Sequence, residues 1–182
     1  MFNKNFIVIC ISSTIAAFPP MAVVLLGGII TSQIMMKDSL ATVPMTLMII
    51  GIAISAPIAS RFMSIWGRQK GFLFSSLLSC LALIICSIAI YLENFFIFAL
   101  GNFLIGSSQA FIHQYRFAAS ESVAKELIPR SISIILLLGI ISALLSSNFA
   151  EYFKDFFPSN LFLGSYIFLS FTAIIPFFIL LF

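Results

Sequence analysis

Charge is nearly missing from this chain: 8% of its 182 residues are Asp, Glu, Lys or Arg, against 62% hydrophobic. A water-soluble domain of this length keeps a large exterior that polar side chains must cover, and too few exist here to cover it. The single histidine and three cysteines exclude more. One imidazole with Cys10, Cys80 and Cys86, at spacings that fit no metal motif, does not make a ligand set, so no metal is expected. An aspartate pair for intramembrane aspartyl proteolysis and a glycine-rich phosphate loop are both missing, and no cofactor is expected. The net charge of +3 forms no basic patch with interleaved aromatics, which removes nucleic acid as a partner.

What is present is a row of apolar runs, with a mean hydropathy of +1.19 over the chain. A helix needs roughly 20 residues to cross about 30 Å of hydrocarbon. Six stretches meet that length, at approximately 6–31, 40–60, 72–92, 95–118, 132–150 and 161–182. Their interiors are apolar on nearly every face, where a β-barrel strand would alternate polar and apolar over about ten residues. The expected fold is therefore an all-α membrane protein, a six-transmembrane-helix bundle in one domain, 1–182, with the lipid bilayer as its surroundings.

The breaks between spans have loop chemistry. Lys37, Asp38 and Ser39 separate the first pair, with Asp38 or Ser39 offered as an N-cap. Trp66, Gly67, Arg68, Gln69 and Lys70 separate the second, and Leu92, Glu93 and Asn94 make a short turn before span four. Pro129 and Ser131 are placed to start span five, and Pro158, Ser159 and Asn160 to open span six. Lys4, Arg61, Arg68, Lys70, Arg116, Lys125 and Arg130 share one side and only Lys37 and Lys154 the other, which by the positive-inside rule puts the N-terminus in the cytoplasm. The apolar run after Lys4 continues past Pro19 and Pro20 with no small-x-small cleavage site, so it reads as a retained helix rather than a signal peptide.

Polar groups inside a bilayer are costly, and span four has the one cluster of them. At about 100° per residue, Asn102, Gln109, His113, Arg116 and Ser120 fall within about 60° of each other, with Gly106 beside them. Two readings stand. Asn102 and Gln109 bond to neighbouring helices while Arg116 snorkels to headgroups, or Asn102, Gln109, His113 and Arg116 line a substrate pathway for a small molecule. Pro19 and Pro20 remove two backbone donors in mid-span and predict a kink, which is either a bend filled by Ser12 or Thr14, or part of that pathway. In span five, Gly139, Ala143 and Ser147, and Ser142, Ser146 and Ala150, form two small-residue ridges suited to close helix packing. Ser108 and His113 are five positions apart, about 140° around one helix, and so are poorly placed as nucleophile and base; no enzyme is expected.

Several segments resemble a known family. Gly67, Arg68, Gln69 and Lys70 look like the end of the cytoplasmic loop motif of major facilitator superfamily transporters, G-x-x-x-D-R-x-G-R-R. The run Gln114, Tyr115, Arg116, Phe117, Ala118, Ala119, Ser120, Glu121 is similar to a Y-R-F-A-A-A-D/E element in one bacterial branch of that superfamily, which also has a stretch like residues 39–44. Ser60 and Ser64 stand where the loop motif has glycine and aspartate, so the relay role of that aspartate does not carry over. Asn102 takes the place of an arginine often found in span four, and Ser146 with Ser147 replaces the Gly-Pro of antiporters.

The resemblance implies an MFS-like half: the N-terminal six helices of a secondary transporter of the bacterial inner membrane, in which two such halves rock about a central site. It implies a small-molecule substrate and a second transporter half or a homodimeric partner. Span six is apolar up to Phe182, which leads to the expectation that the chain is truncated or split.

Overall fold

The computed structural model describes residues 3–35, 38–157 and 160–181. Expectations that rest on Lys37, on Pro158 and Ser159, and on Phe182 lie outside the described residues. The helices are α1 (Lys4–Met35), α2 (Val43–Trp66), α3 (Arg68–Tyr91), α4 (Phe95–Ile112), α5 (Tyr115–Glu121), α6 (Ile128–Tyr152) and α7 (Leu163–Leu181), with no strand among the described residues. Among the described residues, six stretches are long and apolar enough to span a membrane, α4 and α5 together making the fourth. The protein is an all-α, multi-pass membrane bundle.

Helices outrun the apolar runs that announce them. α1 continues four residues past Thr31, because the hydroxyls of Thr31 and Ser32 donate to the carbonyls of Gly27 and Gly28, at 2.7 and 2.9 Å, and so need no partner outside the helix. α2 runs to Trp66 and α3 starts at Arg68, which reduces the expected five-residue loop to Gly67. Arg, Gln and Lys are good helix formers, and their long stems let the helix carry them into the headgroup layer. An N-cap at Asp38 or Ser39 does not start α2. Those residues form a 3₁₀ turn through Leu40, and α2 begins at Val43 with Pro44 in its first turn, where proline's missing N–H costs nothing. Asn94 caps α4 by accepting from the amides of Phe96 and Ile97, at 3.0 and 3.2 Å.

Packing brings α2 onto α4 backbone to backbone. A Cβ on Gly51 would run into the Phe103 carbonyl, and one on Gly106 into that of Met48. Small residues at such crossings replace the hydrophobic drive that lipid-soaked helices lack. α3 lies between α4 and α7, where Tyr166 is fully buried with its ring centroid 5.8 Å from that of Phe98. α6 packs on α1 through Ser142, whose hydroxyl donates to the Thr14 carbonyl at 2.8 Å, and Ser165 of α7 donates to the Ala150 carbonyl at 2.5 Å.

Of the two ridges on α6, the one through Ser142, Ser146 and Ala150 is buried. The other is not a packing seam along its length, since Gly139 and Ala143 line a cavity. The first turns of α1 and α3 meet the last turns of α5 and α7 at one end of the bundle, where Gln69 Nε2 donates to the Leu180 carbonyl at 2.5 Å. The spans therefore alternate in direction.

Candidate substrate pathway

The fourth span is not one helix. The His113 amide still reaches the Gln109 carbonyl four residues back, at 3.0 Å, but the Gln114 amide turns to Phe111, three residues back, also at 3.0 Å. This tighter turn advances the chain by about 120° per residue instead of 100° and swings α5 relative to α4. Tyr115, which an unbroken helix would carry away from the polar stripe, lines the same cavity as Gln109, His113 and Arg116.

That cavity holds about 330 Å³ between α1, the α4–α5 break and α6. Ser13 and Met21 contribute from α1, and Ile135, Leu136 and Ile140 form an apolar wall from α6. Gln109 is buried and its Oε1 has no hydrogen-bond partner, and the same holds for the Tyr115 hydroxyl. The Tyr115 ring is held face to face with Phe72, centroids 3.8 Å apart and planes 10° apart. His113 and Arg116 are exposed on the cavity side of the break. The Arg116 guanidinium lies 5.0 Å from the Phe117 ring, and it makes no ion pair among the described residues.

Asn102 is set apart from this group. It is 1% exposed, its Nδ2 donates to the Phe98 carbonyl at 2.8 Å and its Oδ1, close to Gly27 of α1, has no partner. Ser120 donates to the Phe117 carbonyl, and Ser108 to the Ile105 carbonyl. Pro19 and Pro20 are buried within α1, which continues through both; Ala17 and Met21, on either side of them, face the cavity. Neither expected hydroxyl fills the gap the prolines leave. Thr14 donates to Cys10, and the Ser12 hydroxyl has no partner.

No protein-family model and no solved structure matches the chain. A riboflavin transporter of Brucella anthropi is 27% identical over 165 residues, which cover 91% of this chain and 42% of that protein. The chain thus spans less than half the length of the curated relative it matches.

The loop motif is joined to the second recognised segment by a contact that sequence reading missed. Gly67 holds φ at +88°. Next to it Arg68 grips Glu121, the last residue of α5, with Nε on Oε2 at 2.6 Å and Nη2 on Oε1. Lys70 lies 5.3 Å from the Trp66 ring. Ser64, where the family pattern has aspartate, donates instead to the Arg61 carbonyl. The carboxylate for Arg68 comes from another span. A search among acids on the cation-rich side would have found it, since only Glu121 and Glu126 lie there.

Proposed function

We propose that the chain acts in transmembrane transport of a small molecule, as the N-terminal six-helix half of a major facilitator secondary transporter in the bacterial inner membrane, with its N-terminus in the cytoplasm. One observation carries the reading. Gln109, His113 and Arg116, polar residues on a membrane span, meet at a single cavity between α1 and α6 rather than bonding to neighbouring helices. Similarity to a riboflavin transporter supports the class of activity and makes riboflavin the first cargo to test. The proposed pathway runs from Arg116 and His113 past Gln109 toward Asn102, which stands on the same face of the fourth span about 10 Å deeper along α4. Gly67, Arg68 and Lys70 form the cytoplasmic-side motif, and the proline pair shapes α1 where it passes the cavity.

A second reading is a truncated or split protein that inserts but moves nothing without another half or a second copy. The largely uncovered apolar faces of α2 and α6 favour it, as does the relative's greater length. One experiment addresses both. Riboflavin uptake is measured in riboflavin-auxotrophic cells carrying the chain alone, or the chain with the unmatched part of the Brucella relative. Uptake by the chain alone supports autonomous transport, and uptake only with the added part supports a split carrier. Uptake in either case that is unchanged when His113 and Arg116 are both made alanine would sink the assigned pathway.

A further inference from the structure

Acids are scarce in this chain, and where each one goes decides which cations are left over. Of the two on the cation-rich side, Glu121 grips Arg68, and Glu126 pairs with no cation among the described residues. Arg116 is left without a carboxylate. It is exposed, makes no ion pair among the described residues and rests 5.0 Å from the Phe117 ring. A guanidinium keeps its charge at any pH a cell reaches, so it cannot escape the cost of a membrane setting by losing a proton.

Arg116 also differs from the other cations in where it stands. It is the one cation among the residues lining the cavity between α1, the α4–α5 break and α6, and no acid is among them. That cavity lies within the spans and not at their rim. Its walls begin at Ser13 and Ile135, about 13 Å beyond Lys4 in α1 and about 10 Å beyond Ile128 in α6, at about 1.5 Å of rise per residue. His113 lines it too, close enough for the Arg116 charge to act on its imidazole. Charges inside a span pair with one another or face a route for ions and substrates. With no protein carboxylate at hand, the countercharge comes from an oxyanion outside the chain.

We propose that the cavity selects anionic cargo, Arg116 taking a carboxylate or phosphate group of the substrate while His113 donates to it from alongside. The proposal rests on the cavity being the substrate pathway. The planar guanidinium offers paired N–H donors that match two oxygens of such a group, and an imidazole keeps at least one N–H in either protonation state. Ile135, Leu136 and Ile140 of α6 make an apolar wall, which suits the body of a small organic anion better than an inorganic ion. A cationic cargo would meet the Arg116 charge with no acid to offset it.

The test is a binding titration with the full 182-residue chain in phosphatidylcholine nanodiscs, reading the quenching of flavin fluorescence. The probes are two pairs that share a ring system and differ in charge: flavin mononucleotide with riboflavin for a phosphate, and 10-carboxymethylflavin with its primary amide for a carboxylate. At least one anion should bind about tenfold more tightly than its neutral partner, and the pair that discriminates identifies the oxyanion. Arg116→Gln should bring that preference down to about twofold or less by weakening the anion. Arg130→Gln removes the same charge from an exposed position at the start of α6, outside the cavity, and should leave the preference intact. Arg116→Lys keeps the charge without the fork and should give an intermediate preference, and it carries the test if Arg116→Gln fails to insert.

Equal binding within both pairs, as expected of a guanidinium that serves phospholipid headgroups alone, overturns the proposal and leaves the transport reading intact. A preference that survives Arg116→Gln, or that Arg130→Gln removes as well, overturns it too. So does failure of all four flavins to bind, and the transport reading then stands or falls on the uptake measurement.

Discussion

Three glycines, identical in sequence terms, do three different things. Gly106 sits in ordinary helical backbone but presses on α2, so a methyl group there meets the Met48 main chain, which cannot yield as a flexible side chain would. Gly67 has nothing within 4 Å of a built Cβ, yet its φ of +88° with ψ of 158° is a region that side chains avoid. Gly139 has neither burden: the space around it is open and its backbone is helical. Gly106→Ala should therefore cost about 1–3 kcal/mol through overpacking, and Gly67→Ala a similar amount, about 1–3 kcal/mol, through strain. Gly139→Ala should leave stability unchanged or raise it by up to about 1 kcal/mol, since alanine is the better helix former. Thermal unfolding of the three variants in one detergent checks the order, and a Gly139→Ala loss as large as that of Gly106→Ala would contradict it.

Among elements, α5 is the one the sequence concealed. Its seven residues follow a break at His113 and Gln114, where no proline or glycine marks a stop, so periodicity carried the helix straight through. The long spans were legible because hydropathy alone defines them, but their ends were not, because helices continue beyond the hydrocarbon wherever long polar side chains can reach out. The polar stripe was legible only in part. Gln109, His113 and Arg116 converge, whereas Asn102 lies seven residues from Gln109, about 10 Å deeper along α4, too far to share the cavity even on the same face. What fixes α5 at its far end is the two-pronged Arg68–Glu121 contact, with side chains 31% and 61% exposed. A pair that open contributes about 0.2–1 kcal/mol. Glu121→Gln should speed amide hydrogen exchange across 115–121 by a few-fold at most and leave α3 unaffected beyond its first turn. Exchanging the two charges, Arg68→Glu with Glu121→Arg, should restore much of the protection, and failure of the swap to do so would mean that Glu121 holds α5 by other contacts.

At the scale of the molecule, the proposed orientation rests on where the cations gather. Alternating spans bring the start of α1, the α2–α3 junction and the end of α5 to one end, so that Lys4 and Arg68 line a common cavity of about 480 Å³ there with Glu121. The turn at Glu93, before α4, falls at the opposite end. Retention of cations on the cytoplasmic side is a property of insertion and not of packing, so the bundle itself is indifferent to which end faces in. Cysteine labelling in intact cells reads the answer directly. Cys10, Cys80 and Cys86 lie inside spans, beyond reach of an aqueous maleimide, and so give little background. Glu93→Cys and Lys125→Cys place thiols at exposed positions between spans at the two ends. A membrane-impermeant maleimide should label the Glu93→Cys variant in intact cells and the Lys125→Cys variant only after permeabilisation. The reverse pattern would put the cation-rich end outside, and with it Arg68, Glu121 and the Arg116 end of the proposed pathway, which would then have to be read from the opposite side.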